Sequence, residues 1–168
     1  MVSTPQFRLS RLNIFWVDFK QAQRFARYIL RRKLHNVKNP QAVAKLIHLA
    51  FNTSLVVAYS RPFLDSNDGS KKKVSLRGTV NAILDTPEQI LHDKIIRKMR
   101  NQAFAHSDAA AHEIDGFNYD GSTVQIYKAA FEPLTRDETR LLSTMIAKWI
   151  KYVEKLRSES KLAVGSRH

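Results

Sequence analysis

The chain contains no cysteine, which excludes disulfides and thiolate-based metal or redox sites and fits a reducing, cytoplasmic setting. Glycine and proline are scarce, five of each in 168 residues, too few for an all-β protein in which a turn recurs every ten residues or so. The N-terminus, Met1-Val2-Ser3-Thr4-Pro5-Gln6, has no apolar leader core, and no stretch approaches the roughly 18 uncharged apolar residues that span a bilayer. Neither secretion nor a membrane span is therefore expected. There is no Gly-rich phosphate loop and no supported Ser-His-Asp order, which sets those enzyme classes aside. Acidic residues are nearly missing from the N-terminal part: residues 1–64 hold eleven Lys and Arg and one acid, Asp18.

What is present is positive charge. Twenty-eight Lys and Arg against 15 Asp and Glu give a formal net charge of +13, enough for a long-range field that favours polyanions. The length suits one domain, residues 1–168, with its core over about 10–157. Charge narrows the partner to nucleic acid, a ribosome-like assembly or an acidic protein, without naming an activity.

Between Leu12 and His35 the residues Phe15, Phe19, Ala22, Ala26 and Ile29 recur at helical spacing, which predicts a first helix. Beside them Lys20, Arg24, Arg27 and Arg31 form a ladder with almost no acid interleaved, so i,i+4 ion pairing does not explain it. The ladder is either a solvated face or a phosphate-binding one. Asn39-Pro40 starts a second helix, about Pro40 to Tyr59. Its apolar residues, Val43, Leu46, Ile47, Leu49, Ala50, Leu55, Val56 and Val57, leave a narrow polar stripe at Lys45, His48, Asn52 and Tyr59. That pattern predicts the most buried helix. Residues 64–85, with Asp65-Ser66-Asn67-Asp68-Gly69-Ser70 and Lys71-Lys72-Lys73, read as a mobile loop that includes a short helix after the lysines.

Thr86-Pro87-Glu88-Gln89 reads as a capping box with Thr86 as the cap. It starts a third helix with Ile90, Leu91, Ile95, Met99 and Ala103 inward and Lys94, Arg97, Lys98 and Arg100 supplying charge. Asp115-Gly116 and Asp120-Gly121 are two turn signals, followed by the β-prone Thr123-Val124-Gln125-Ile126-Tyr127, which together suggest a small hairpin or irregular connection. Thr135-Arg136-Asp137-Glu138 is a second capping box, opening a fourth helix with Leu142, Met145, Ile146, Trp149, Val153 and Leu156 inward. Residues 158–168 read as a frayed tail. The predicted class is all-α: a four-helix bundle with a long loop after the second helix and a small β-hairpin before the fourth.

The third helix carries Arg100-Asn101-Gln102-Ala103-Phe104-Ala105-His106, followed by Ser107-Asp108. This run resembles the Arg-polar-x(3–5)-His signature of the HEPN superfamily, in the form found in its bacterial toxin and abortive-infection branches. The resemblance spans the four helices. It implies a homodimer whose composite cleft cuts RNA without a metal or cofactor, in a toxin or phage-defence effector held in check by an antitoxin protein. In that reading His106, with an ordinary pKa of about 6.5, moves a proton as the 2′-hydroxyl attacks the adjacent phosphorus. Arg100 holds the scissile phosphate, and Asn101 positions a phosphate oxygen or His106.

On an ideal helix residues six apart point about 120° apart, so Arg100 and His106 converge only if the helix frays or a second subunit completes the site. Arg61, beside Pro62 and Phe63, is a second phosphate candidate, with a surface or capping role as its alternative. His48 and His92 rank lower, and His106, Asp108 and His112 are too loosely spaced to argue for a metal. Two other readings stay open: a non-catalytic HEPN-like module that binds RNA or a protein, and a helical DNA-binding protein.

Overall fold

Thr4 begins the first helix well before Leu12: its Oγ1 accepts the Phe7 N–H at 3.3 Å and Pro5 occupies the first turn, where a missing N–H costs nothing. The computed structural model describes residues 4–38, 43–64, 74–100, 114–119, 122–127 and 132–165. In it α1 runs Pro5–Arg31, with Arg32 as its C-cap and then Lys33, whose φ of 52° lies in the left-handed region. A side chain there costs on the order of 1–2 kcal/mol. The 3₁₀ turn Leu34–Asn36 follows.

Helix α2 is described over Val43–Ser60, its expected start at Asn39-Pro40 lying outside the described residues; Leu55 and Val56 are buried as expected, but the inward face differs from the expected one in part. The polar stripe faces inward: His48, Asn52 and Tyr59 are buried, while Val43 is 72 % and Leu46 67 % exposed. Apolar side chains cover so much of this helix that hydrophobicity alone does not choose the inward face. Polar partners distinguish the inward face, since Asn52 Oδ1 accepts the Leu134 N–H at 3.3 Å and the Tyr59 hydroxyl meets His92 Nδ1 at 2.9 Å. With the 3₁₀ turn Arg61–Phe63, this stretch is marginally long and apolar enough to cross a membrane, at a mean hydropathy of 1.2. Here it packs on α1.

Leu76 N–H donates to the Pro62 carbonyl at 3.0 Å, closing the loop whose residues 65–73 lie outside the described ones. A 3₁₀ turn, Arg77–Thr79, leads into the short α3, Val80–Ile83. Helix α4, Thr86–Asp93, is capped one residue earlier than its sequence suggests. Asp85 Oδ1 accepts from Glu88 N at 3.2 Å and Glu88 Oε2 accepts from Asp85 N at 3.1 Å, so Thr86 is the first helical residue and not the cap. Ile90, expected inward, is 68 % exposed, while Leu91, His92 and Ile95 turn inward. The helix continues as a π-helical turn, Lys94–Met99, in which the Arg100 N–H reaches back five residues to the Ile95 carbonyl.

Two antiparallel strands follow, β1 Ile114–Tyr119 and β2 Ser122–Tyr127, in register from Ile114↔Tyr127 to Tyr119↔Ser122. Helix α5, Arg136–Gly165, opens with the expected capping box, Thr135 Oγ1 accepting from Glu138 N and Glu138 Oε2 from Thr135 N. It runs on through Ser158, correcting the frayed tail. Ser158 Oγ donates to the Glu154 carbonyl and Ser160 is buried, so the polar residues are absorbed by the helix.

The described residues thus make a mostly helical, all-α architecture. The long α1 and α5 pack along one another, α2 lies on α1, and α4 closes on α5. Rings fill the junction: Phe19 meets Tyr59, Phe63 and Trp149 at centroid distances of 6.1, 5.9 and 6.1 Å. Fully buried aromatics of this kind dominate a core's energetics.

Candidate nucleic-acid interface

Asp93, Ile96, Arg97 and Arg100 of α4 and its π turn share one face. Against it stands the 3₁₀ turn and α3. Between them lies a groove of about 410 Å³ lined by Arg77, Asn81, His92, Asp93, Arg97 and Arg100, with Phe63, Leu64, Val80 and Ile96 as its apolar wall. Among the described residues its lining carries three guanidinium groups and one carboxylate. Asp93 Oδ2 lies 3.6 Å from Arg97 Nη2, and both are well exposed, so this pair is weak and easily exchanged for another anion.

His92 is the groove's most constrained member. It is 5 % exposed, packed edge-on to Phe63 at 4.6 Å, and burial holds its pKa down at about 4, against a small opposing effect of Asp93. Burial also pushes the Tyr59 hydroxyl well above its ordinary range, helped by the nearby Glu88. Tyr59 therefore keeps its proton, and a buried hydroxyl hydrogen needs an acceptor. Among the described residues His92 Nδ1 is the acceptor it has, at 2.9 Å. The remaining proton of the neutral imidazole then sits on Nε2, which makes the other edge of the ring a donor.

The other basic residues are distributed differently. Lys94 Nζ donates to Glu138 Oε1 at 2.6 Å, tying α4 to the start of α5, and is not among the residues lining the groove. Arg61 Nη1 donates to Asp18 Oδ1 at 3.2 Å. Asp18 is buried, and burial raises its pKa in spite of Arg61 and Arg11, so Arg61 serves first to compensate that carboxylate. On α1, Lys20 and Arg24 line a shallow surface hollow with Trp16 and Gln21. Lys20 Nζ lies 5.3 Å from the Trp16 ring centroid and Arg157 covers the same ring at 4.8 Å. Arg27 and Arg31 are exposed on the same helix. This ladder shares no residue with the groove. Arg100, half-buried, is the last described residue of its helix, and Asn101 and His106 lie outside the described residues.

No protein family, curated protein or solved structure matches this chain. The case for a site therefore rests on the groove itself. Sequence reasoning reached Arg97 and Arg100 but ranked His92 low and passed over Arg77 and Asn81. His92 was open to detection, because it adjoins the 93/96/97/100 face. Arg77 was not, since it sits in a stretch whose composition reads as loop and whose position is fixed by the Leu76–Pro62 contact. Among the described residues no three His, Asp or Glu side chains cluster as a metal site would require.

Proposed function

We propose that the chain is an RNA-directed, HEPN-like protein of the cytoplasm, a metal-independent endoribonuclease acting as a homodimer. The observation that supports this best is the gathering of Arg77, Arg97 and Arg100, the first residue of the motif, around one groove. Phosphodiester cleavage by 2′-hydroxyl attack builds negative charge on the phosphorus oxygens, and arginine forks suit that charge in position and shape. In this reading Arg100 holds the scissile phosphate, His106 acts as acid and base, and Asn101 orients the pair. The four long helical segments would form the HEPN bundle, with the cell's exposure to the activity limited by an antitoxin partner, as in toxin–antitoxin or phage-defence systems.

One observation favours a second reading, a non-catalytic module that binds RNA. His92, the histidine in the groove, is held at a pKa of about 4, too low to shuttle protons efficiently near neutrality. Catalysis then depends wholly on His106. The test is incubation of the purified protein with single-stranded and structured RNA in EDTA, beside Arg100→Ala and His106→Ala variants. Cleavage that leaves 2′,3′-cyclic phosphate ends and disappears in both variants supports the nuclease. Binding without cleavage supports the module, and preference for duplex DNA removes both.

A further inference from the structure

The groove is more than a patch of charge. It has a polar floor and an apolar wall, and its volume of about 410 Å³ lies within the range of sites that take small organic ligands, roughly 300–1,000 Å³. Its cationic members come from two separate elements, Arg77 from the 3₁₀ turn and Arg97 and Arg100 from the helix. Phe63, Val80 and Ile96 supply the apolar surface against which a sugar or base would lie.

We infer that this groove is a subsite for one nucleotide of single-stranded RNA, with the phosphate between Arg77, Arg97 and Arg100 and the His92 Nε2–H donating to the same nucleotide. The inference rests on the RNA-directed reading and assigns new work to Arg77, Asn81, His92 and Tyr59. Tyr59 is a positioning residue. Its hydroxyl occupies His92 Nδ1 and so fixes the tautomer that leaves Nε2 as the donor, much as an orienting partner fixes a working imidazole elsewhere. Burial keeps His92 neutral, so it contributes direction without a further positive charge. The wall favours an unpaired nucleotide, because a base held in a duplex cannot turn its face to Phe63 or Ile96. Asn81, exposed at the rim, offers an amide able to donate and accept.

The probes are an RNA decamer with every 2′-hydroxyl methylated, which cannot be cut by 2′-attack, together with 5′-AMP, adenosine and inorganic phosphate, each titrated calorimetrically into the full chain. The expected order is decamer above 5′-AMP above phosphate, with adenosine near background. Arg77→Ala should weaken decamer binding about ten-fold, the loss of one charge-assisted contact, and should leave folding intact because Arg77 is exposed. Tyr59→Phe should weaken it several-fold and, at neutral pH, move the His92 ring nitrogen shifts from the Nε2–H tautomer toward a mixture of tautomers by NMR, a change that loss of packing alone would not give. Lys161→Ala, far along α5, serves as the control.

Decamer binding unaffected by both Arg77→Ala and Asn81→Ala overturns the subsite, even where the RNA is cut and Arg100→Ala abolishes cutting. Binding of 5′-AMP as tight as the decamer overturns the RNA assignment in favour of a free nucleotide. Decamer binding that depends on Arg77, in a protein that never cuts unmodified RNA, supports the subsite while removing the nuclease.

Discussion

Acidification should unfold this protein earlier than its net charge alone would, because two buried histidines are kept neutral. Burial holds His48 at a pKa of about 4, with His35 and Lys45 adding to the effect, and His92 sits at about 4 for the same first reason. An unfolded histidine titrates near 6.5. Between those values the unfolded chain binds more protons than the folded one, so stability falls as pH drops. Integrated from pH 7 to pH 5, the loss is roughly 2 kcal/mol for each histidine, or about 4 kcal/mol together. That is a large part of the 5–15 kcal/mol typical of a domain.

Two carboxyls modify the slope. Asp18 has a raised pKa, so its cost at neutral pH is relieved as the pH falls through that value, which opposes the histidines at the acid end. Glu138 has a lowered pKa from Lys94 and the Thr135 cap, so its contribution is lost only below the ordinary carboxylate range. The urea midpoint should therefore drop by roughly 2 M between pH 7 and pH 5, for a slope near 2 kcal/mol per molar. His48 offers the sharper variant. It is 3 % exposed and among the described residues neither ring nitrogen has a hydrogen-bond partner, so His48→Leu should keep or raise stability at pH 7, by up to about 1 kcal/mol, and halve the pH slope. A midpoint that stays constant from pH 7 to pH 5 would refute the reasoning.

Three further outcomes check the packing. Phe19→Ala should cost about 3–5 kcal/mol and lower the melting temperature by roughly 6–20 °C, since three rings lose a neighbour; circular dichroism melting reads it, and a shift under 2 °C would contradict the ring cluster. Asp85→Ala should cost about 1 kcal/mol as the loss of a cap, whereas Thr86→Ala should be nearly silent in the same melt; the reverse pattern would restore Thr86 as the cap. Leu46→Glu should leave the urea midpoint nearly unchanged while Leu55→Glu prevents cooperative folding, and equal effects would contradict the observed orientation of α2.

The helices were legible in the sequence where one face was much more apolar than the rest. Phe15, Phe19, Ala22, Ala26 and Ile29 are all buried, as are Leu142, Met145, Ile146, Trp149 and Val153. Legibility failed where the pattern was ambiguous by one position or saturated. At the start of α4, Asp85 and Thr86 are both good caps, with Glu88 and Gln89 both able to close the box, and contacts beyond the motif separate the two frames: Lys148 Nζ lies 2.6 Å from Glu88 Oε2, and Gln89 Nε2 donates to the Leu84 carbonyl. In α2 the decision fell to pairs distant in sequence, Asn52 with Leu134 and Tyr59 with His92. Periodicity carries no information about such partners. The same is true of the groove: its helical half lay in plain sight at Arg97 and Arg100, but Arg77 and Asn81 reach it through a chain reversal that no local spacing encodes.

The π-helical turn at Lys94–Met99 makes this helix a ruler with a step in it. Upstream, Asp85 and Glu88 fix the start, and Leu91 is keyed to the core. At its far end Arg100 begins from a phase shifted by up to one residue's rotation, on the order of 100°. The two ends are thereby aimed independently of each other, one by the cap and one by the wide turn. The number of residues between Asp93 and Arg100 thus carries information apart from their identity, and losing one of them would re-aim the end of the helix more than it would shorten it.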